Sequence, residues 1–445
     1  MALADDSSIE SARNWPLIRS KNGWLNERQS LSALQRIGSD SNPSEVSADH
    51  LLAEEQVSGS PLVAGNEVTL LSDGPATYEA MLDAIHKARA LILLESYILD
   101  NDAVGAKFAA ALTERCKAGV TVALMVDSVG TLSTPDAYFE ALRQAGVVVV
   151  QFNSLNPVKS GFGWSLNERD HRKVLVVDGN IGFTGGLNLS EVYSSRPGRS
   201  GARSKMMADK DAPWRDTHVR IRGPAAMDLQ HEFLEGWADQ GGPPLFAAGK
   251  LAALAKVQRA AAPGKDLVRI VATSPEDGSA IYWTLLGAIE RAQHSVHITM
   301  AYFVPNRDFL DALESAGRRG IDVELVLPGF SDFWMVFHAG RAHYTELLES
   351  KVRIYERHDA LLHAKTAVID GTWSTVGSSN MDWRSFVHNH ELNAIVLGPS
   401  FGGQMEALFD NDRKASVPVT LEAWQQRDWS LVLREQISSL FSYWL

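Results

Sequence analysis

Residues 171–179 read His-Arg-Lys-Val-Leu-Val-Val-Asp-Gly, and residues 363–371 repeat this pattern as His-Ala-Lys-Thr-Ala-Val-Ile-Asp-Gly. Small residues and an asparagine follow each copy at the same spacing: Gly185-Gly186 and Asn188 in the first, Gly377-Ser378 and Asn380 in the second. One chance copy of this pattern has odds on the order of 10⁻⁵ in a chain of this length, and two copies have far lower odds. The repeat therefore indicates two related halves.

The predicted elements around the two copies also follow one order. Each half reads as a strand, a helix, a strand, a helix that ends at a glycine, and a strand. These elements are Val68–Leu71, Tyr78–Ala88, Leu91–Leu99, a helix to Gly119 and Val120–Val126 in the first half, and Val268–Ala272, Ile281–Ala292, Val296–Val304, a helix to Gly320 and Ile321–Leu327 in the second. This alternation predicts an α/β fold with an α/β sandwich in each half. We expect the halves to pack about a pseudo-twofold axis, with the active site at their interface.

Changes in composition divide the chain further. Residues 1–65 are polar and rich in Ser, Asp and Glu, which predicts a loosely ordered N-terminal extension. Residues 66–245 form the predicted first half, and residues 266–445 form the second. The linker between them, residues 246–265, contains an Ala- and Lys-rich stretch, Ala247 to Ala262, that suits a connecting helix.

Each motif begins a predicted β-hairpin, because a run of β-forming residues ends in Asp-Gly before a second strand. Side chains two residues apart on a strand share a face, so the imidazole and the ammonium group of each motif point the same way. The small residues let the return strand approach a ligand, and an asparagine amide can donate to a phosphate oxygen. The predicted catalytic residues are His171, Lys173, Asp178, His363, Lys365 and Asp370, and the predicted substrate-binding residues of the motifs are Gly186, Asn188, Ser378 and Asn380.

Two such faces around one phosphorus supply a mechanism. One imidazole attacks phosphorus to form a phosphohistidine, while the other protonates the leaving alcohol and then deprotonates the acceptor. The lysines and asparagines stabilise charge on the nonbridging oxygens. The scheme requires no metal ion and no cofactor, and a monomer is sufficient for one active site.

Some residues near the motifs have a structural interpretation as well. An Asp before Gly suits a tight turn, so a mainly structural or orienting role is expected for Asp178 and Asp370. Arg169 and Arg172 are candidates for phosphate contact, although arginines that flank a strand are usually solvated. Cys116 lies in an apolar stretch, which predicts a buried structural thiol.

The composition limits the class of protein. The chain has 445 residues, 45% of them hydrophobic, which predicts a large core and two or three domains. Its formal charge of −12 and pI near 5.6 disfavour nucleic acid as a partner, because a diffuse positive field is absent. No apolar run reaches the length of a membrane-spanning helix, about 18 to 20 residues. Met1–Glu10 has no apolar signal region.

Further strings flank the motifs: Asn167–Asp170, Tyr302–Pro305, Leu327–Gly329, Gly377–Ser385, Asn389–Glu391 and Asn393. With the motifs, they resemble the phospholipase D superfamily, and within it the bacterial cardiolipin synthase branch, over about residues 66–440. The resemblance implies that His171 is the nucleophile and His363 the general acid and base. It assigns the acidic residues that support the histidines to Glu391, counted here with the substrate-binding residues, and to Asp216.

The reaction implied by the resemblance moves a phosphatidyl group from one phosphatidylglycerol to the hydroxyl of another, which forms cardiolipin and releases glycerol. The implied partners are the phospholipid and a membrane surface. Many cardiolipin synthases carry two N-terminal transmembrane helices that this sequence lacks. The resemblance therefore implies a peripheral protein at the cytoplasmic face of the bacterial inner membrane, and leaves phosphatidylethanolamine or another alcohol open as a substrate.

Three surface features are compatible with lipid. Residues 333–337, Phe-Trp-Met-Val-Phe, and residues 161–164, Gly-Phe-Gly-Trp, suit contact with acyl chains or a membrane interface, with core packing as the alternative. A basic loop absent from the second half suits anionic headgroups, or is simply solvated. Its cationic residues are Arg196, Arg199, Arg203 and Lys205.

Three other functions compete with phosphatidyl transfer. A phospholipase D-type hydrolase is the nearest, because the same phosphohistidine yields phosphatidic acid when water replaces the alcohol. An endonuclease with this motif would profit from a basic groove that the acidic chain lacks. A non-catalytic lipid-binding scaffold has no need of two His-Lys pairs that face one phosphate.

Overall fold

The computed structural model of the chain describes residues 14–37, 47–154, 167–194, 212–245, 262–276 and 278–441. It has a mixed α/β fold in which two halves repeat the same strand order, which confirms the predicted fold class. Among the residues described, no helix has both the length and the apolar character needed to cross a membrane.

The described part of the N-terminal segment forms regular structure. Its elements are β1 (Ile18–Ser20), β2 (Gly23–Trp24), α1 (Glu27–Gln35) and α2 (Ala48–Ser58). Both helices are capped by polar side chains, since Asn26 accepts from the Gln29 N–H and Ser47 accepts from the His50 N–H. The prediction of a loosely ordered extension over residues 1–65 is therefore wrong for these stretches, where the polar residues cap helices.

Helix α2 is attached to the second half through Glu54. This buried carboxylate accepts from the Arg269 guanidinium and from the Trp373 indole, each at 2.7 Å. Arg269 and Trp373 are themselves almost fully buried. Removing Glu54 would leave a buried guanidinium without its carboxylate, so the segment is part of the fold of the second half.

The first half runs from β3 to α6. Its elements are β3 (Leu62–Ser72), α3 (Asp73–Lys87), β4 (Leu91–Ser96), α4 (Ala103–Lys117), β5 (Thr121–Asp127), α5 (Asp136–Gln144), β6 (Val148–Phe152), β7 (Arg169–Asp170), β8 (Val174–Val177), β9 (Ile181–Gly185), β10 (Trp214–Arg215), β11 (Thr217–Arg222) and α6 (Ala226–Asp239). A short 3₁₀ turn, Glu191–Tyr193, follows the first motif. Strand β3 begins before residue 66, so it crosses the predicted boundary of the extension.

The second half repeats this plan. Its elements are β12 (Asp266–Thr273), α7 (Ala280–Arg291), β13 (Ser295–Met300), α8 (Arg307–Arg319), β14 (Asp322–Pro328), α9 (Trp334–Arg341), α10 (Tyr344–Glu349), β15 (Arg353–Arg357), β16 (Leu361–Leu362), β17 (Lys365–Ile369), β18 (Trp373–Gly377), β19 (Asn389–Leu397), α11 (Pro399–Lys414), β20 (Ser416–Val419), α12 (Leu421–Gln425) and α13 (Trp429–Ser439). A π-helical turn, Arg384–His388, precedes β19. The predicted connecting helix, Ala247 to Ala262, lies almost wholly outside the described residues.

The two halves have matching strand orders. The order is β6-β5-β4-β8-β9-β11-β3 in the first half and β15-β14-β13-β17-β18-β19-β12 in the second. In each, three parallel strands lie beside the antiparallel hairpin that follows the motif. Strand β3 pairs with β11 and also with β12, so it joins the halves into one extended sheet.

Two short strand pairs cross between the halves. Strand β7 of the first half pairs in parallel with β19 of the second, and β10 of the first pairs in parallel with β16 of the second. Because β7 and β16 end next to the two motif histidines, these pairs bring each histidine to a strand of the other half.

The core has three main parts. One lies under the helices of the first half, one lies in the second half and includes Ile18 and Leu51 of the N-terminal segment, and one contains strand residues of both halves. The shared part, which includes Val176 and Val368, explains how the halves keep one relative position. Cys116, predicted to be a buried structural thiol, packs against the first part but is only partly buried.

Candidate active site

His171 is held by the opposite half. It lies between β7 and β8, just before the strand in which we expected it, and its N–H donates to the His390 carbonyl at 2.9 Å. This bond places the imidazole beside Glu391, the next residue of β19. Nδ1 of His171 lies 3.0 Å from both carboxylate oxygens of Glu391. A carboxylate of the second half therefore orients the histidine of the first.

His363 is held in the reciprocal way. It lies between β16 and β17, and its N–H donates to the Arg215 carbonyl at 2.8 Å. Asp216 follows Arg215, and its Oδ2 lies 2.7 Å from Nδ1 of His363. The halves thus exchange carboxylates, and neither half contains a complete histidine–carboxylate pair.

The exchanged carboxylates leave one ring nitrogen of each histidine for chemistry. Since Nδ1 contacts the carboxylate, Nε2 remains available on both rings. Asp216 and Glu391 are 0% exposed, so both orient imidazoles and neither can meet a substrate. The predicted substrate-binding role of Glu391 is therefore wrong, because the carboxylate lies behind the ring that it supports.

The motif lysines lie beside the histidines. Both are almost fully buried, and each Nζ donates to the carbonyl of the histidine two residues earlier. Burial lowers the pKa of Lys173 to about 7 and that of Lys365 to about 8, against the attraction of Glu391 and Asp216. A bound anion would restore the charge of both ammonium groups, so the site is suited to a phosphodiester.

The two histidines differ in their electrostatic surroundings. Burial and the charges of Lys173 and Lys365 lower the pKa of His171 well below its usual range, so this imidazole is neutral at pH 7. Burial and Lys365 also lower the pKa of His363, but Asp216 opposes the shift. The His363 side therefore favours a proton more than the His171 side does.

The supporting carboxylates differ in the same sense. Burial would raise the pKa of Asp216, but His363 and Lys365 outweigh it and the pKa is lowered. Burial raises the pKa of Glu391 to about 7, although Lys173 opposes the shift. Asp216 is thus ionised at neutral pH and stabilises a protonated His363. Glu391, beside His171, is only partly ionised at the same pH.

The small motif residues make room for these carboxylates. A Cβ on Gly186 would lie 2.1 Å from Oδ1 of Asp216, so only glycine allows Asp216 to reach its histidine. At the matching position, the Ser378 hydroxyl donates to Oε2 of Glu391 at 2.5 Å and accepts from the Leu392 N–H. Their predicted contact with substrate is therefore wrong, because both residues face the supporting carboxylates.

The two motif asparagines have different surroundings. Asn188 is engaged at both ends, since its Oδ1 accepts from the Ile98 N–H and its Nδ2 donates to the Tyr193 hydroxyl, each at 3.1 Å. These two bonds fix the loop after β4 and use one of the two N–H donors of Nδ2, so the predicted phosphate contact of Asn188 stays a prediction. Asn380 is 5% exposed, and its Oδ1 has no hydrogen-bond partner among the described residues. The Nδ2 group of the same amide is the donor that a phosphate oxygen would need.

The motif aspartates lie at the far end of their strands from the histidines. Asp178 accepts from the backbone N–H groups of residues 89, 90 and 91, and Asp370 accepts from those of residues 293, 294 and 295. Both have a left-handed backbone, with φ of 53° and 52°. These bonds fit the mainly structural or orienting role that the Asp-Gly turn predicts, and they place both carboxylates away from the imidazoles.

An aromatic wall surrounds the imidazoles. The Tyr97 ring lies edge-on to His171 with its centroid 5.2 Å away, and Lys173 lies over the same ring at 5.4 Å. Trp214 lies 5.2 Å from His363, and Tyr302 lies 6.4 Å from it. Tyr302 lies in a string that carries the resemblance, whereas Tyr97, which follows β4, and Trp214, the first residue of β10, gave no sequence signal.

The two arginines that were candidates for phosphate contact bind other protein groups within the fold. Arg172 pairs with Glu95 at 2.9 Å and with Asp170 at 3.0 Å, and Arg169 donates to the Ser128 hydroxyl at 3.2 Å. Both arginines are buried, which rules out the solvated alternative. The apolar stretch 161–164 and the basic loop with Arg196, Arg199, Arg203 and Lys205 lie outside the described residues.

Comparison with known sequences adds independent evidence. A family profile described as "Cardiolipin synthase, PLD-like domain" matches residues 81–196 and 285–413, more than half of the chain. A cardiolipin synthase of Geobacillus sp. (strain WCH70) is 35% identical over 389 residues, which cover 87% of this chain and 74% of the relative. A cardiolipin synthase of Halalkalibacterium halodurans is 32% identical over 446 residues, 99% of this chain and 81% of the relative. Both motifs lie inside the matched ranges.

Comparison with solved structures supports the fold. The crystal structure of phosphatidylserine synthase from Haemophilus influenzae Rd KW20 matches with a TM-score of 0.65 at 13% identity, over 89% of this chain and 100% of that one. At this identity the likeness concerns the arrangement of the two halves, and it agrees with the strand orders described above.

Proposed function

Because the chain belongs to the cardiolipin synthase family of the phospholipase D superfamily, we propose that it transfers a phosphatidyl group from phosphatidylglycerol to the hydroxyl of a second phosphatidylglycerol. The products are cardiolipin and glycerol. The observation that carries the proposal is the pair of imidazoles, each with Nδ1 on a buried carboxylate of the other half and Nε2 available.

In the first step, Nε2 of His171 attacks phosphorus of the donor. The P–N bond forms as the P–O bond to glycerol breaks, and His363 gives its Nε2 proton to the glycerol oxygen. A neutral His171 is the better nucleophile. The Asp216 anion opposes the lowering of the His363 pKa, so of the two imidazoles His363 more readily holds the proton that the leaving alcohol needs. The charge difference between the two sides therefore supports His171 as the nucleophile.

In the second step, His363, now neutral, takes the proton from the acceptor hydroxyl. The acceptor oxygen attacks phosphorus, the new P–O bond forms, and the P–N bond to His171 breaks. Lys173, Lys365 and the Asn380 amide stabilise the nonbridging oxygens in both steps. Two in-line displacements retain the configuration at phosphorus, and the enzyme returns to its starting protonation state.

A membrane surface is the proposed partner, and an exposed apolar surface on α9 and α13 supports it. The two helices pack together, and large apolar side chains on them remain in solvent: Phe333, Trp334, Trp429, Leu433, Ile437, Leu440 and Phe441. Trp429, Leu433 and Ile437 recur every fourth residue, which gives α13 one apolar face. Large exposed apolar side chains on two neighbouring helices and their ends suit an interaction site. The proposed location is the cytoplasmic face of the bacterial inner membrane.

The test is to incubate the purified chain with phosphatidylglycerol vesicles in the presence of a chelator. Mass spectrometry then follows cardiolipin, free glycerol and phosphatidic acid. We expect cardiolipin with an equivalent amount of glycerol, since the scheme assigns the positive charge at phosphorus to lysines. Phosphatidic acid as the main product would instead identify a hydrolase, and no product from phosphatidylglycerol, alone or mixed with phosphatidylethanolamine, would refute phosphatidyl transfer.

A further inference from the structure

We propose that Tyr302 and Asp332 form a subsite for the phospholipid headgroup, on the His363 side of the active site. The subsite would bind short headgroups that donate hydrogen bonds, either the hydroxyls of glycerol or the ammonium group of ethanolamine. This inference rests on the proposed phosphatidyl transfer and deepens it, because it names the residues that select the leaving and attacking alcohols.

Tyr302 links the catalytic histidine to the carboxylate. Its ring lies edge-on to His363, and its hydroxyl donates to Oδ1 of Asp332 at 2.8 Å. The backbone is fixed as well, since the Tyr302 carbonyl accepts from the Met381 N–H at 3.2 Å, next to Asn380 of the second motif. Burial and Asp332 raise the pKa of Tyr302 well above its usual range, so the phenol keeps its proton and remains a donor.

Asp332 is an exposed carboxylate without a cation. Its hydrogen bonds come from the hydroxyls of Tyr302 and Ser331, both to Oδ1, and within the described ranges it forms no ion pair. It is near enough to the site to favour the charged form of Lys365. A carboxylate at the rim of an anion site weakens the binding of phosphate. Hydrogen-bond donors on the ligand would explain its presence there, with Oδ2 as the acceptor.

The side of the site next to His171 has guanidinium groups near it. Burial and Asp127 raise the pKa of Tyr97, and the guanidinium groups of Arg384 and Arg169 oppose this shift, so cations lie close to the ring. Arg384 is held there by a bond from Nη1 to Oδ1 of Asn167 at 3.1 Å. Arg384 therefore lies on the nucleophile side, where Arg169 is paired with Asp127, and the unpaired carboxylate of Asp332 makes the general-acid side the acidic one among the described residues.

The chemistry assigns the headgroup to the acidic side. The oxygen that leaves, and later the oxygen that attacks, must lie next to Nε2 of His363 because this nitrogen moves their proton. The rest of the headgroup extends from that oxygen, past Tyr302, to Asp332. Glycerol carries two further hydroxyls that can donate to a carboxylate, whereas a methyl headgroup has none.

The test compares two donors in vesicles, phosphatidylglycerol and phosphatidylmethanol, with the full chain and its Asp332→Asn and Tyr302→Phe variants. The same excess of 1-butanol is the acceptor in every assay, because phosphatidylmethanol has no free hydroxyl to receive the phosphatidyl group. Asp332→Asn should lower kcat/KM for phosphatidylglycerol about tenfold, since a charge-assisted hydrogen bond is lost. It should lower phosphatidylmethanol turnover much less, about threefold at most, because that headgroup makes no such bond and only the attraction of Asp332 for Lys365 is lost. Tyr302→Phe should act in the same direction with a smaller effect, about threefold.

Three controls make the comparison sharp. Asp332→Glu should recover part of the preference for phosphatidylglycerol, and Asp136→Asn, an exposed aspartate on α5, should change neither substrate. Phosphatidylethanolamine, tested as a donor, should lose turnover in Asp332→Asn as phosphatidylglycerol does if the ammonium group uses the same carboxylate. For every variant, the quantity compared is kcat/KM for the donor with the polar headgroup divided by kcat/KM for phosphatidylmethanol.

The outcomes separate the subsite from the reaction. An equal fall on phosphatidylglycerol and phosphatidylmethanol, or no change on either, would contradict the subsite while the wild-type chain still makes cardiolipin. A wild-type chain that turns over none of these phospholipids would contradict the proposed function itself, and with it the subsite.

Discussion

The two halves position their histidines through the same backbone hydrogen bond, but the charges around the two imidazoles differ. In each half a short strand crosses to the other half, and the histidine N–H donates to the carbonyl just before a buried carboxylate. Yet Asp216 is a firm anion beside His363, whereas the pKa of Glu391 beside His171 is raised by burial to about 7. The repeated geometry gives two equivalent imidazoles, and the local charges divide the roles of acid and nucleophile.

This difference shows how a duplicated fold becomes one enzyme. Each histidine depends on a carboxylate that is remote in sequence, by 220 residues for His171 and Glu391 and by 147 for His363 and Asp216. A separated half would keep its His-Lys pair but lose the group that fixes the tautomer and the ring orientation. The active site therefore exists only when both halves are packed together.

The largest losses of activity are expected when either histidine is replaced, and the two variants should differ in whether a phosphoenzyme forms. We predict that His171→Ala and His363→Ala each lower turnover of phosphatidylglycerol about 10⁴-fold, because one removes the nucleophile and the other the acid. A donor with p-nitrophenol as its leaving group needs little acid. With it, His363→Ala should accumulate an acid-labile phosphoenzyme, and His171→Ala should form none; labelled phospholipid and rapid quenching measure this. A phosphoenzyme in His171→Ala would reverse the assignment.

Smaller losses of activity are expected when the carboxylate that supports each histidine is replaced, and they should depend on pH differently in the two halves. Asp216→Asn should lower kcat/KM about 100-fold both near pH 6 and near pH 8, because the lowered pKa keeps Asp216 ionised across this range. Glu391 has a pKa of about 7, so it is largely neutral near pH 6 and largely ionised near pH 8. Glu391→Gln should therefore cost only about twofold near pH 6 and about tenfold near pH 8.

The measurement is a pH profile of kcat/KM for both variants and wild type on phosphatidylglycerol vesicles. Glu140→Gln, an exposed residue of α5, serves as the matched control. The same loss for Glu391→Gln at both pH values would show that the two carboxylates carry equal charge, and the electrostatic division between the halves would then be wrong.

The sequence predicted the parts of this site that are local. The motif repeat fixed the hairpins, the two His-Lys pairs and the order of the elements, because each follows from spacing or from a period of two. It did not show which strand of the other half meets each histidine, since β7 and β10 are two residues long and have no periodicity. Gly186 was thus assigned to the substrate, although it makes room for Asp216, and Glu391 was counted with the substrate-binding residues although the resemblance had already given it a supporting role.

The N-terminal segment and the motif aspartates show two other limits. Polar composition predicted loose order over residues 1–65, but composition does not reveal that Glu54 meets a buried guanidinium 215 residues away. For Asp178 and Asp370, the motif suggested catalysis and the turn suggested structure. Only the hydrogen bonds to backbone N–H groups decide between these roles.

The smallest effects are expected on stability, when the two motif aspartates are replaced. Asp178 is buried and Asp370 is half-buried, while both accept three backbone N–H groups from a left-handed turn. Asparagine tolerates this backbone but replaces one acceptor oxygen with a donor. We predict that Asp178→Asn lowers the free energy of unfolding by about 1 to 2 kcal/mol, and Asp370→Asn by about half as much, because water replaces a bond more easily at the exposed site.

Thermal unfolding followed by circular dichroism measures the change in stability of the two variants. Turnover of phosphatidylglycerol, at a temperature well below the midpoint of unfolding, shows whether either aspartate has a catalytic role. Both variants should keep kcat within about twofold of wild type, since their carboxylates cap the opposite end of the strand from the histidines. A variant that unfolds like wild type but loses more than about tenfold in kcat would place its aspartate in the catalytic machinery after all. Equal destabilisation of both would show that burial does not distinguish the two turns, and the difference between the halves would then be confined to the histidines and their carboxylates.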